Sequence, residues 1–303
     1  MRVWKVFSAV TVGLFLGMSS VEAYEEIEVT NGGILSGVVT LEGKVPRPKG
    51  YNLVTLPDPV YCGRISTGTG WRLLQPFKVD PDGGFKDVVI LLTDIKKGKT
   101  FEYTPPRIEA VDCKFDPYII VVRDRHKVEV VNMDPVLHDI QAYETSKMGA
   151  RVLFNIPLPM SKKIKKQQLL KKVTVKNRAG KVIAHSIKMR KGRNVIVMQC
   201  GFHAYMESWG LAVNHPYYVL SSQDGRYAIS DIPPGTYKVM VWHPLLSQEF
   251  DVTIEPGQAT TLDVKFDAPQ GRLYANEIEE NPRFGLELLG DVTIDPIVEI
   301  QVP

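Results

Sequence analysis

Cys200, His203 and Met206 close the run Asn194-Val195-Ile196-Val197-Met198-Gln199-Cys200-Gly201-Phe202-His203-Ala204-Tyr205-Met206. A thiolate, an imidazole and a thioether in one short loop are donors for a mononuclear copper centre. Such a centre takes one Cys and two His as a trigonal set, with a long axial Met that tunes the potential. The second imidazole is expected from His138, at the end of Asn132-Met133-Asp134-Pro135-Val136-Leu137-His138. His138, Cys200, His203 and Met206 are therefore the expected ligands of one copper ion. Asn132 is expected to tie the His138 loop to the Cys200 loop by a hydrogen bond. Cys and Met are also ordinary packing residues, and a single His is commonly a core or loop residue. It is the four donors in two loops that point to a metal.

Strands must deliver both loops. Val195–Met198 is an apolar, largely β-branched run leading into Cys200, and Lys127–Val131 leads into the His138 loop. The rest of the chain has the same character, with short runs rich in Val, Ile and Tyr separated by Gly, Pro and Asp-Gly turns. Expected strands are Leu35–Leu41, Lys86–Leu92, Tyr118–Arg123, Lys127–Asn132, Val173–Lys176, Val195–Gln199, Tyr217–Leu220, Arg226–Ser230, Tyr237–Trp242, Phe250–Ile254 and Thr260–Phe266. This pattern predicts an all-β fold of sandwiches. Only Lys162–Lys172 has helical composition, and its apolar residues lack a helical period.

The Cys-x-x-His-x-x-Met loop resembles the cupredoxins, with the short ligand-loop spacing of amicyanin; plastocyanins carry two more residues between His and Met. It is also similar to the binuclear copper loop of cytochrome oxidase subunit II, but Ile196 stands where that site has its second Cys. The resemblance implies one blue-copper centre and outer-sphere electron transfer. It also implies His203 as the ligand at the solvent edge, with Phe202 and Tyr205 forming an apolar docking face.

A second resemblance lies in Gln223-Asp224-Gly225-Arg226-Tyr227-Ala228-Ile229-Ser230-Asp231-Ile232-Pro233-Pro234-Gly235-Thr236-Tyr237-Lys238-Val239. An Asp-Gly turn, an alternating strand, a Pro-Pro-Gly turn and a returning strand are similar to the carboxypeptidase-regulatory-like (transthyretin-like) β-sandwich. That family opens with a strand such as Gly33–Leu41. Residues 30–103 and 216–268 are thus expected to form one discontinuous sandwich. A cupredoxin Greek-key sandwich, residues 107–215, would be inserted into it, as exposed loops with neighbouring ends permit. The alternative places the N-terminal strands in the copper-bearing unit. Beyond Asp267 only acidic Glu277, Glu279 and Glu280 and a last strand, Val292–Val302, are expected.

Residues 1–23 read as a signal peptide: basic Arg2 and Lys5, an apolar run from Val6 to Met18, and the cleavage-like Val21-Glu22-Ala23. No later run reaches the roughly 18 apolar residues of a transmembrane helix. The expected location is the periplasm or outside the cell. The sequence has three cysteines. In an oxidising compartment, with Cys200 on the metal, Cys62 and Cys113 are left to form a disulfide.

Residues 161–193 contain 13 Lys or Arg and no Asp or Glu. The whole chain carries +3, the signal +1, and so the mature chain +2; without the basic segment the remainder carries −11. Lys162, Lys163, Lys165 and Lys166 are candidates for steering an acidic redox partner or for surface association. The plainer reading is a solvated hairpin. Nucleic acid is not an expected partner. No Cys-x-x-Cys-His attaches haem, so a partner such as a c-type cytochrome or a dehydrogenase would supply the other redox centre. Paired carboxylates and nucleophile–base pairs are not evident, so an electron carrier is expected rather than an enzyme. The alternatives are a copper carrier without electron traffic, or a module binding surface polysaccharide or protein. The remaining histidines, His126, His185, His215 and His243, are expected to be structural or exposed; of these, His243, at a strand end after Trp242, is the one the sandwich could present to the copper-bearing unit.

Overall fold

The structure is a computed structural model that describes residues 24–63, 70–147, 149–160, 180–281 and 285–288. It is all-β, as the sequence predicts. Gly33–Glu42 forms β1. A hairpin of β2 (Lys49–Asn52) and β3 (Trp71–Leu74) follows. Between its strands lie a 3₁₀ turn, Leu53–Thr55, and a one-turn helix α1, Pro59–Cys62. The chain then makes β4 (Val89–Leu92).

A run of strands comes next: β5 (Arg107–Val111), β6 (Lys114–Asp116), β7 (Ile119–Arg123), β8 (Lys127–Asn132) and β9 (His138–Thr145). It continues with β10 (Arg151–Leu158), β11 (Ile183–Ser186), β12 (Val195–Gln199) and β13 (Glu207–Val213). These build two facing sheets, a five-stranded one in the order β10-β9-β12-β13-β7 and a four-stranded one in the order β11-β8-β5-β6. The strands after them are β14 (Tyr218–Leu220), β15 (Arg226–Ile232), β16 (Gly235–His243), β17 (Leu246–Ile254), β18 (Ala259–Thr261) and β19 (Val264–Asp267). They join β1 and β4 in a second pair of sheets. One is β14-β4-β16-β17; the other is β15-β1-β18, with β19 also paired to β1. Strands far apart in the chain thus share a sheet: β1 lies antiparallel to β15, with Leu35 opposite Ile229.

Each pair of sheets closes on its own core. Ile108, Val122, Val130, Ile140, Phe154 and Met198 fill the first; Leu35, Phe85, Ile90, Val241 and Phe266 fill the second. A third layer joins them. Val89 and Leu91 of β4 and Met240 and Trp242 of β16 pack against Ile119, Val121, Val195, Trp209 and Leu211. Side chains alternate faces along a strand, so Ile90 and Leu92 point into one core while Val89 and Leu91 point into the layer between the sandwiches. This explains why β4 is an unbroken apolar run rather than an alternating one.

The β2–β3 hairpin departs from expectation. The sequence places its residues with the flanking strands, in the expected discontinuous sandwich of residues 30–103 and 216–268. Instead Leu53 and Cys62 lie in the core of the metal-loop sandwich, with Tyr51, Leu56, Tyr61 and Leu74 packed against it. The cause is covalent and polar: Cys62 is bonded to Cys113, and Tyr61 donates to Asp134 at 3.0 Å. The tail after Asp267 also docks here. Gly50 N donates to Asn276 O at 2.6 Å, and the Glu277 side chain is buried and accepts from Tyr274 N at 3.1 Å. The expected strands Val173–Lys176 and Val292–Val302 and the segment Lys162–Lys172 lie outside the described residues.

Candidate metal centre

β8 ends at Asn132, and β9 begins at His138. The Asn132 side chain folds the intervening turn. Its Oδ1 accepts from Asp134 N at 2.8 Å, and its Nδ2 donates to Val136 O at 2.8 Å and Leu158 O at 3.2 Å. Asn132 thus ties the His138 loop to itself and to the end of β10, not to the Cys200 loop. The tie between the two loops is Asp139, whose Oδ1 accepts from Gly201 N at 2.6 Å. A side chain at Gly201 would crowd the Gln141 amide, 2.2 Å from its Cβ.

The residues between β12 and β13 form the second loop. Cys200 N donates to Met206 O at 3.1 Å, and Met206 N donates to His203 O at 2.8 Å. The backbone of the loop is therefore closed by its own hydrogen bonds. Cys200 is 2% exposed, while His138, His203 and Met206 are fully buried.

Three donor atoms converge. His138 Nδ1 and His203 Nδ1 are 3.1 Å apart, and Cys200 Sγ lies 3.9 Å from the first and 3.7 Å from the second. The outer ring nitrogens face carboxylates: His138 Nε2 is 2.8 Å from Asp134 Oδ2, and His203 Nε2 is 3.3 Å from Asp58 Oδ2. An ionised carboxylate only accepts, so each Nε2 is assigned the proton and each Nδ1 is left with a bare lone pair. Two imidazole lone pairs and a sulfur thus point at one another, an arrangement that a cation resolves. Burial, followed by the neighbouring His138, lowers the pKa of His203, which keeps that ring neutral. Burial also pushes the metal-free Cys200 thiol up to about 11. The donor set fits a soft or borderline transition metal. Such a metal takes thiolate, so the thiol proton leaves as it binds.

Asp134 is the busiest group beside the ligands. Its oxygens accept from Asp112 N and Cys113 N, both at 2.8 Å, and from Tyr61 Oη, besides facing His138. The expected disulfide, Cys62–Cys113, is present, with Cys62 Sγ 3.9 Å from His203 Nε2. Sequence reasoning missed Asp58, Asp134 and Asp139. The only signal in the chain is the position of Asp134 four residues before His138.

Two expectations for the docking face need correction. His203 is not at a solvent edge, because Asp58 and Cys62 cover its outer nitrogen. Tyr205 is fully buried, its ring 5.7 Å from that of His203 and 5.9 Å from that of Tyr51. Phe202, in contrast, is 45% exposed. Lys162, Lys163, Lys165 and Lys166 lie outside the described residues. His243 is buried in the other sandwich between Phe77 and Phe85, with Nε2 3.2 Å from Pro76 O. His126 and His185 are half-buried beside Tyr103 and Phe154. His215, expected to be structural or exposed, is buried at the junction, where Tyr24 and Tyr217 flank it.

A family model described as polysaccharide lyase family 4, domain II, matches residues 205–262. Comparison with curated proteins finds no match. Among solved structures, a purple cupredoxin from Nitrosopumilus maritimus is similar at 17% identity over 36% of this chain and 99% of its own, with a TM-score of 0.25. A copper-containing nitrite reductase from Thermus scotoductus SA-01 is similar at 16% identity and a TM-score of 0.25. That match covers 41% of this chain and 25% of the reductase. The major pilin subunit BcpA of Bacillus cereus aligns over 78% of this chain and 99% of its own at 8% identity, with a TM-score of 0.16.

Proposed function

We propose that the chain is an exported electron carrier holding one copper ion through His138 Nδ1, Cys200 Sγ and His203 Nδ1, with Met206 as the axial donor. The observation that carries this reading is the convergence of two imidazole nitrogens and one sulfur, with both outer nitrogens facing carboxylates. Copper held by such donors supplies a one-electron Cu(II)/Cu(I) couple. The protein's part is positioning. The hydrogen-bonded Cys200 loop fixes the thiolate, Asp134 and Asp58 orient the imidazoles, and burial excludes water. The covered donors favour outer-sphere electron passage over catalysis at the metal. Exposed Phe202 would lie in the docking contact with a c-type cytochrome or dehydrogenase, and the basic segment would steer an acidic partner.

Copper titration of the metal-free protein tests the reading. One equivalent of Cu(II) should produce an intense visible thiolate-to-copper band, which ascorbate bleaches and an oxidant restores. Cys200→Ala should abolish that band, and Met206→Leu should keep it with a shifted potential. A protein that takes up only colourless Cu(I) is a carrier instead. One that binds no copper refutes the assignment.

A further inference from the structure

The segment over His203 is built in an unusual way. Asp58 is the N-cap of α1, where an Asp side chain ordinarily accepts a hydrogen bond from the helix's own first turn. Here it makes no such bond. Its backbone lies in the left-handed region at φ 55°, uncommon for any residue but glycine, and its carboxylate turns to His203 Nε2 at 3.3 Å. Strained backbone of this kind persists where surrounding structure overdetermines it. The overdetermination is visible: Cys62 is bonded to Cys113, Tyr61 donates to Asp134, and Leu53 is fully buried in the metal-loop core. The layer is thin, because Val54 and Val60, one and two residues from those anchors, are 61% and 54% exposed.

From this geometry we infer that residues 49–63 are a covalently latched cover controlling metal entry and exit, with the Cys62–Cys113 bond as the latch. The inference rests on the metal reading above. Every donor residue is buried, so a metal reaches the ligands only through local opening of the protein. The cover bears on the outer nitrogen of one ligand ring, and the disulfide joins it to the turn that Asp134 holds against the other ligand, His138. Metal therefore loads while Cys62 and Cys113 are thiols, and the latch closes over it. Closure forms one S–S bond and breaks another. The two electrons and the two thiol protons pass by exchange to a protein disulfide of the thiol-oxidase class, which leaves as a dithiol.

The test compares metal-free wild type, disulfide intact, with the double variant Cys62→Ser, Cys113→Ser. Co(II) is the probe, followed by its thiolate absorption. The variant should take up cobalt at least roughly tenfold faster, and lose it to a chelator correspondingly faster, with the same final spectrum and stoichiometry. Equal rates overturn the latch and leave the metal site standing. No cobalt in either protein, with none of the copper expected above, removes the metal reading and the latch with it. If the double variant fails to fold, the same rates are read on wild type reduced with a phosphine. An unchanged rate there overturns the latch too. Asp58→Ala, which keeps the disulfide, should change the rates less than opening the latch does; a larger effect than that also refutes the latch.

Discussion

Asp134 and Asp58 set the tautomers of their histidine partners, because an ionised carboxylate can only accept. Asp134→Asn replaces an obligate acceptor of His138 Nε2 by an amide that can also donate, and weakens the basicity of the ligand ring. Copper affinity should fall about 10–100-fold in a chelator competition, with the visible band retained. An unchanged affinity would show that Asp134 serves only the turn. A second outcome at this scale follows from His215 and His243, which burial lowers to about 4 and about 3 respectively. Both are neutral in the folded protein, while the unfolded chain protonates them near pH 6.5. Their contribution is complete above that pH and is lost as pH falls toward 4 and 3, at up to about 1.4 kcal/mol per pH unit for each. Urea midpoints between pH 7 and 5 should show the decline. His243→Phe, which can pack between Phe77 and Phe85, should flatten it; an unaltered slope would refute the assignment. The ligand types were legible in the sequence because three of them share one short loop. Asp58 was not, because the contact between Cys62 and His203, beside Asp58, joins residues 141 positions apart. Asp134 and Asp139 lie near His138 in the chain, but nothing in their residue type tells a ring partner or loop tie from a turn residue.

Strands whose polar residues sit in turns were read well. Lys127–Asn132 and Val195–Gln199 match residue for residue. β9 was missed, although it begins at a ligand. Its polar residues are used inside the sheet, so no apolar alternation survives: Asp139 holds Gly201, and buried Glu144 accepts from Arg151 Nε and Nη2, both at 2.7 Å. The β2–β3 hairpin was missed as an element because its apolar residues serve a core that the chain builds later. The Asp-Gly turn was legible for a physical reason. Gly225 has φ +76°, and a Cβ there would lie 2.2 Å from Val39 O and 3.0 Å from Phe85 N. Gly225→Ala should cost about 1–3 kcal/mol in denaturant unfolding, since both the backbone angle and the neighbouring backbone resist it. A shift below a few tenths of a kcal/mol would mean that the turn relaxes freely.

The two pairs of sheets share the layer built by Val89, Leu91, Met240, Trp242, Ile119 and Trp209. Trp242 is fully buried. Trp242→Ala should cost about 3–5 kcal/mol, and calorimetry should show wild type unfolding in one transition and the variant at a lower temperature. Two separate transitions in wild type would mean that the shared layer does not couple the units. The broad architecture followed from strand rhythm and turn chemistry, whereas this layer did not, because a run such as Val89–Leu92 reads the same whether one or two cores use it. The disulfide acts at this scale as well. Its sequence separation of 51 residues closes a ring that leaves the cover at Cys62, passes through β3 and β4, and returns through β5 to Cys113. In the chain-entropy account a ring of that size is worth about 4 kcal/mol. Because β4 belongs to one sandwich and β5 to the other, the ring ties both together. A protease that cuts once between Cys62 and Cys113 would therefore release nothing: the nicked protein runs as one species until it is reduced, and then as two fragments.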